Sequence, residues 1–342
     1  MIKASWKKLT LDFKIPGGTS RGILTQKDSW IISIWNDNTT STIGKGEASI
    51  IKTLSPDWNE HFEAKINSIC ENVTEYITTE GLKKLGQYPS IQLALETAFL
   101  DLKNGGESII FPSNFTSEQS PIPINGLIWM GDKAFMKSQI ETKIDTGFNC
   151  IKLKIGAIDF ETELQILKDI RSNYSAKDIE LRVDANGAFS PNQALNKLNQ
   201  LAKFDLHSIE QPIKAGQLNE MAHLCLSTPL PIALDEELIG VVDFGKKSEL
   251  LNIIKPQYII LKPSLIGGFN GSDEWIKLAE QQNIKWWITS ALESNIGLNA
   301  IAQYTFTKNN PLPQGLGTGG LFTNNTPSNL VVKKGKLLLK SK

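Results

Sequence analysis

The sequence predicts an α/β protein: a modified TIM barrel, (β/α)7β, with an α+β capping domain. Three observations predict it. From about residue 121, short β-rich runs alternate with longer stretches of helical periodicity, the order that yields a parallel sheet. Eight such runs with seven helices between them are enough to close that sheet on itself. Residues 1–120 lack this alternation and read as strands followed by helices. An open doubly wound sheet is the competing architecture for the alternating part.

In residues 1–120, "KASWKKLTLDFKI" and "SWIISIWND" alternate polar and apolar residues and read as antiparallel strands. "DWNEHFEAKINSICENVTEYI" and "SIQLALETAFLDLKNG" follow as helices. The barrel occupies residues 121–319. Its strands are "PINGLIWM" (123–130), "CIKLKI" (150–155), "IELRVDAN" (179–186), "LHSIEQP" (206–212), "PIALDEE" (231–237), "YIILKPS" (258–264), "KWWITSALE" (285–293) and a short "QGLGTG" (314–319). Among the intervening helices, "SPNQALNKLNQLAKF" opens with Ser-Pro, a good helix start. Residues 320–342 contain "LVVKKGKLLLK", expected as a late strand pair that returns to the capping domain.

The overall balance excludes several functions. Lys+Arg is 36 and Asp+Glu is 36, a formal net charge of +0, which argues against a broad nucleic-acid surface. No apolar run reaches membrane-spanning length, and the N-terminus has no signal-peptide core. Cys70, Cys150 and Cys225 are odd in number and far apart, so they suggest neither a disulfide framework nor a zinc site. They fit a reducing cytoplasm, the expected location.

The segment "CIKLKIG" places Lys152 and Lys154 on one face of a strand, roughly 6–7 Å apart, with Ile151, Leu153 and Ile155 on the other. Successive strands carry comparable charges near their C-terminal ends: Asp184 and Asn186, then Glu210, Asp235 and Lys262. From Lys154 to Lys262 the intervals are about 25–30 residues, one βα unit each. A single Asp after a strand is usually a helix cap, and a single Lys usually reaches solvent. Five consecutive strands bearing such residues at matching positions are hard to obtain from caps, and in a barrel those ends converge on one face. Asp184, Glu210 and Asp235 are three hard oxygen ligands without His or Cys, a set suited to Mg2+. Lys152 and Lys154 on one wall and Lys262 on the other return positive charge to the site. Burial and a neighbouring cation both lower a lysine's pKa, which suits one of these to act as a general base.

"KLKIG", "RVDANGAF", "IEQP", "LDEE" and "LKPS" together resemble the enolase superfamily, in its muconate-lactonizing subgroup. The resemblance covers nearly the whole chain. It implies Mg2+ as cofactor, with Mn2+ as a substitute, and a small-molecule carboxylate as partner, with no nucleic acid or membrane; a homo-oligomer is left open. It implies that Lys154 and Lys262 face each other across the substrate. Lys154 would take a proton α to a carboxylate and Lys262 would stabilise the enediolate. Lys152 would support the carboxylate's charge, and Lys152 and Arg182 would hold down the pKa of Lys154.

"ITSALESNIGLNAIAQ" (288–303), "GLGTGGLF" (315–322) and "GGTSRGIL" (17–24) are similar to the o-succinylbenzoate synthases of menaquinone biosynthesis. That likeness implies a lyase dehydrating 2-succinyl-6-hydroxy-2,4-cyclohexadiene-1-carboxylate. It implies substrate contacts from Ser20 and Arg21 on a mobile capping loop, from Arg182 and Asn186, and from Ser290, Ser294, Gly317 and Thr318 at the ends of strands seven and eight. Dipeptide epimerases and N-acylamino acid racemases are the enzyme alternative. The epimerases carry Asp-x-Asp on strand eight, where this chain has "GLGTG", and this favours a substrate without an α-amino group. A barrel retained as a scaffold or binding protein is the non-enzyme alternative, disfavoured by the complete set of carboxylates and lysines. His207 has the opposite strand parity from Glu210 and reads as a packing residue, as do Trp286 and Trp287.

Overall fold

The structure is a computed structural model that describes residues 1–19 and 22–340. Three antiparallel strands open the chain: β1 (Ile2–Thr19), β2 (Gly22–Asn36) and β3 (Thr39–Ser49), in the order β1-β2-β3. In β2 the alternation works as expected, with Trp30, Ile32 and Ile34 buried on one face. The sequence reading does not foresee β3, because Gly44 and Gly46 interrupt any apolar alternation. The reason for glycine is contact. A Cβ at Gly46 would lie 1.8 Å from the Ala94 carbonyl oxygen, so only glycine lets the helix that carries Ala94 lie directly on this strand. Helices α1 (Phe62–Glu71), a short α2 (Thr79–Lys83) and α3 (Pro89–Lys103) cover the sheet. Phe62, Ile66, Ile91 and Leu95 pack against the β2 face to form the core of this cap.

A two-residue strand, β4 (Ile122–Pro123), leads into the barrel. Seven parallel strands follow: β5 (Gly126–Ile128), β6 (Cys150–Lys154), β7 (Glu180–Asp184), β8 (Ser208–Glu210), β9 (Ile232–Leu234), β10 (Tyr258–Leu261) and β11 (Lys285–Ile288). The crossovers are α4 (Lys133–Asp145), α5 (Phe160–Asn173), α6 (Pro191–Leu201), α7 (Leu218–Ser227) and α8 (Phe244–Ile254), then a one-turn α9 (Pro263–Ile266) leading into α10 (Gly268–Gln281), and α11 (Asn295–Thr307). The ring is closed by Gln314 and Gly315, which bridge in parallel to Ile124 on one side and Thr289 on the other. The architecture is therefore (β/α)7β with an eighth strand reduced to a bridge. Residue parity divides its packing. Ile151, Leu153 and Ile155 join the outer core with the helices, whereas Ala233, Ile260 and Trp287 form a separate cluster inside the ring.

The C-terminal segment only partly returns to the cap. Phe322 bridges Phe13, the Lys14 amide donates to the Leu321 carbonyl at 2.9 Å, and the Thr323 amide donates to Asp12 at 2.9 Å. The hairpin that follows, β12 (Leu330–Lys333) and β13 (Lys336–Leu339), does not join the three-stranded sheet. It pairs with β4, Leu337 opposite Ile122, because Leu337 finds its apolar cover in the barrel core. Among the described residues no helix is long and apolar enough to cross a membrane.

Cap and barrel share a buried carboxyl. Glu96 on α3 accepts hydrogen bonds from the amides of Phe269 (2.5 Å) and Asn270 (3.3 Å) and from Gln92 Nε2 (3.1 Å). Burial pushes its pKa from the ordinary 4.5 up to about 7. The folded state thus keeps a proton that the unfolded chain releases at lower pH. Stability from this group is full below pH 4.5 and falls as pH rises towards 7. Glu96→Gln is expected to remove this slope, so that thermal melts of the variant lose less stability than wild type between pH 5 and pH 8, by up to about 3 kcal/mol. A difference between the two proteins that stays constant over that range contradicts this.

Candidate active site

The strand register assembles the charged groups. Lys154 pairs with Asp184, and Asp184 with Glu210, on adjacent strands, while Asp235 and Lys262 follow the last residues of β9 and β10. The stagger of a closed barrel carries these two around to the others. Lys152 Nζ lies 3.1 Å from Asp184 Oδ2 and 2.7 Å from Glu210 Oε2. Lys154 Nζ donates to Asp184 Oδ2 at 2.6 Å and to Asn186 Oδ1 at 2.7 Å. Across the ring, Lys262 is bonded to Asp235 and stands 3.8 Å from Glu210 Oε1. None of these six residues is more than 8% exposed. Asn186 turns into the left-handed region (φ 45°), which asparagine tolerates, and its amide caps Asp184 Oδ1 at 3.0 Å.

Electrostatics separate the lysines. For Lys154, burial lowers the pKa; Asp184 opposes this, the like charge of Lys152 adds to it, and the net shift is downward. For Lys262, burial also lowers the pKa, but Asp235 and Glu210 outweigh it and hold the ammonium charged. Lys152 is likewise held up, by Glu210 and Asp184 against burial. Among the carboxylates, Asp184 stays low because Lys154 and Lys152 overcome the cost of burial, and Lys262 does the same for Asp235. Glu210 is the exception: burial and the charge of Asp184 push it up to about 8. Its Oε1 is buried with no hydrogen-bond partner.

Among the described residues no three His, Cys, Asp or Glu side chains are drawn together as a metal cage; lysine ammonium groups lie against the three carboxylates instead. The donor set nevertheless fits a hard divalent cation. It offers only oxygen, it is buried, and the orphaned Glu210 Oε1 lacks a positive partner at hydrogen-bond distance.

A cavity of about 250 Å³ opens over this cluster, with Lys152, Lys154 and Lys262 at its base. One wall is polar: Thr289, Ser290, Gly315, Gly317 and Thr318 from strands seven and eight, with the Ser290 and Thr318 hydroxyls 2.5 Å apart. The rest of the lining is largely apolar, with Leu24, Ile51 and Leu54 from the cap and Leu127, Trp129 and Leu292 from the barrel. Ser290, Gly317 and Thr318 thus stand where the sequence places them. Three expected contacts, Arg182, Asn186 and Ser294, do not. Arg182 lies deeper in the barrel, bonded to Glu180 (2.7 Å) and the Pro313 carbonyl (2.9 Å) with its guanidinium 4.3 Å from the Trp287 ring centroid, because residue 182 is one layer below residue 184. Ser294 caps α11 and bonds Glu47, away from the cavity. Asn186 holds Lys154 and does not line the cavity. Ser20 and Arg21 lie outside the described residues. The apolar wall escaped the sequence reading, although the shared parity of Leu127 and Trp129 after strand one was a usable signal. His207 packs against Tyr258 and Trp287, and burial lowers its pKa to about 4.

A capped (β/α)7β barrel with lysines and carboxylates at its strand ends defines a class of enzymes that work on the carbon next to a carboxylate. The chain belongs to the enolase C-terminal domain-like family, whose model matches residues 136–342. It is 46% identical to an o-succinylbenzoate synthase from Desulfotalea psychrophila, over 98% of each chain. The solved structure of MenC from the same organism superposes with a TM-score of 0.88 at 43% identity, covering 99% of both chains. A dipeptide epimerase from Enterococcus faecalis, solved with Mg and L-Leu-L-Tyr, shares the fold at a TM-score of 0.84 and 20% identity, covering 99% of this chain and 97% of that one.

Closure of the ring leaves no room beside Thr289. A Cβ at Gly315 would lie 2.4 Å from Thr289 Oγ1 and 2.7 Å from its Cγ2. Gly315→Ala is expected to push Thr289 toward the cavity, costing about 1–3 kcal/mol of stability and raising KM. Urea titration and steady-state kinetics check this; a variant with wild-type values for both would show that the bridge has slack.

Proposed function

We propose that the protein is a Mg2+-dependent lyase that dehydrates 2-succinyl-6-hydroxy-2,4-cyclohexadiene-1-carboxylate to o-succinylbenzoate, a step of menaquinone biosynthesis. The observation that carries this reading is the pair of lysines on opposite walls, one with its charged form disfavoured and the other held charged, beneath one cavity. Family membership and the near full-length relative support it. Asp184, Glu210 and Asp235 would hold Mg2+, with Mn2+ as a substitute. The ion would supply neutralisation of the charge that builds on the substrate carboxylate.

The chain's own residues do the rest. Lys154, as free amine, takes the proton α to the carboxylate, and the electron pair left behind moves into the carboxylate. Lys262, as ammonium, faces that growing charge from the other wall. The proton gained by Lys154 then passes to the departing hydroxyl on the same face, which leaves as water while the ring becomes aromatic. Lys152 keeps positive charge beside Asp184 and Glu210 and disfavours a second charge on Lys154. The apolar wall of Leu24, Ile51, Trp129 and Leu292 keeps water from the reacting face. Dipeptide epimerisation is less well served, since among the described residues no carboxylate lines the cavity to meet a substrate ammonium.

Purified protein with Mg2+ is expected to dehydrate this substrate and to leave dipeptides and N-succinylamino acids turned over more slowly. Epimerisation without dehydration would overturn the assignment. Lys154→Ala should lose dehydration and α-proton exchange together, by at least about 10²–10⁴-fold, while remaining folded. If Lys262→Ala instead abolished exchange while Lys154→Ala kept it, the base would stand on the other wall. Calorimetric titration of Asp235→Asn with Mg2+ should show weaker binding than wild type, because one ligand charge is gone; equal affinities would remove Asp235 from the ligand set.

A further inference from the structure

The cap reaches the barrel through a second buried carboxylate that the reaction does not use. Glu47, near the end of β3, is 1% exposed. Its Oε1 accepts from Ser29 Oγ at 2.6 Å and from the Ser294 amide at 2.8 Å. Its Oε2 accepts from the Ser294 hydroxyl and from the Gly297 amide at 2.9 Å. Both oxygens are therefore satisfied, partly by the first turn of α11, where a negative charge is favoured. On the cap side, Lys27 Nζ donates to Ser29 Oγ (3.0 Å) and Ser49 Oγ (2.6 Å). On the barrel side, Glu293 accepts from the Ala291 amide (2.7 Å) and from Ser264 Oγ (2.6 Å), two residues beyond Lys262. Gly297 makes the approach possible, since a Cβ there would lie 2.8 Å from Glu293 Cβ and 2.9 Å from Glu47 Oε2.

The network sits at the root of both cavity walls. Ile51, Thr53 and Leu54 of the cap wall begin four residues after Glu47, and Thr289 to Leu292 of the barrel wall end two residues before Ser294. Well-packed apolar side chains hold an interface at least as well as a buried charge does. What a carboxylate with four donors adds is direction, because each bond fixes an angle as well as a distance. We infer that Glu47 is a positioning residue for the reaction proposed above: it sets the spacing between the cap wall and the strand-seven wall, and so the fit of the substrate between them.

The test uses the full-length protein with Mg2+ bound and two readouts. In Glu47→Gln one acceptor oxygen becomes a donor facing another donor. Hydrogen exchange at the Ser294 and Gly297 amides is expected to accelerate about tenfold or more, and KM to rise about tenfold with kcat within about threefold, since Lys154 stands on the far wall. Ser294→Ala, which deletes one hydroxyl donor, should shift both readouts in the same direction by less, and it decides the matter if Glu47→Gln does not fold. A lowered melting temperature with unchanged KM and unchanged exchange in residues 289–297 would reduce Glu47 to a stabilising contact and overturn the inference. If wild type fails to dehydrate the cyclohexadiene carboxylate, the functional reading falls, while the exchange measurement still tests the latch.

Discussion

Three ammonium groups and three carboxylates meet inside one barrel, and most of the remaining structure answers to the cost of putting them there. An unpaired charge in a protein interior is expensive, and even a paired one rarely repays its desolvation. The barrel meets this cost by setting three lysines against three acidic side chains. The match is incomplete at Glu210, whose Oε1 has no hydrogen-bond partner and whose proton is held to about pH 8.

The same constraint explains what lies below and around the cluster. Beneath it, the Arg182 guanidinium is stacked on Trp287 and bonded to Glu180 and Pro313, so the floor of the ring is filled. Above it, Leu11, Phe13, Trp129, Leu292 and Phe322 join cap and barrel in an apolar cluster that borders the cavity. Low polarity on both sides strengthens every electrostatic effect between them. The opposite shifts of Lys154 and Lys262 arise from this arrangement: both are desolvated, and what differs is the balance of charges each one meets.

The cap thus completes the site. It supplies Leu24, Ile51 and Leu54 to the lining of the cavity, and Glu47 and Glu96 are two of its buried polar ties to the barrel. Neither glutamate stands out in the sequence, because a lone Glu in "GKGEAS" or "LALETA" looks like an ordinary surface residue. Their burial depends on backbone amides contributed by segments more than 170 residues away.

By itself the sequence determined the βα rhythm, the (β/α)7β closure and the positions of Lys152, Lys154, Asp184, Glu210, Asp235 and Lys262. These follow from local rules, since strand parity and a period of about 25–30 residues are set along the chain. Ser290, Gly317 and Thr318 were legible for a related reason, because they lie at strand ends that must face the cavity. Only the tertiary structure decided that Arg182 belongs to the floor, that Ser294 serves Glu47, and that the last hairpin pairs with Ile122–Pro123. It also supplied the balance of burial and charge that pushes Lys154, the lysine the resemblance names as base, toward its neutral form. Each of these depends on the depth of a residue in the barrel or on groups brought in from distant segments. Neither the stagger of the closed sheet nor the docking of the cap is written in any local pattern of residues.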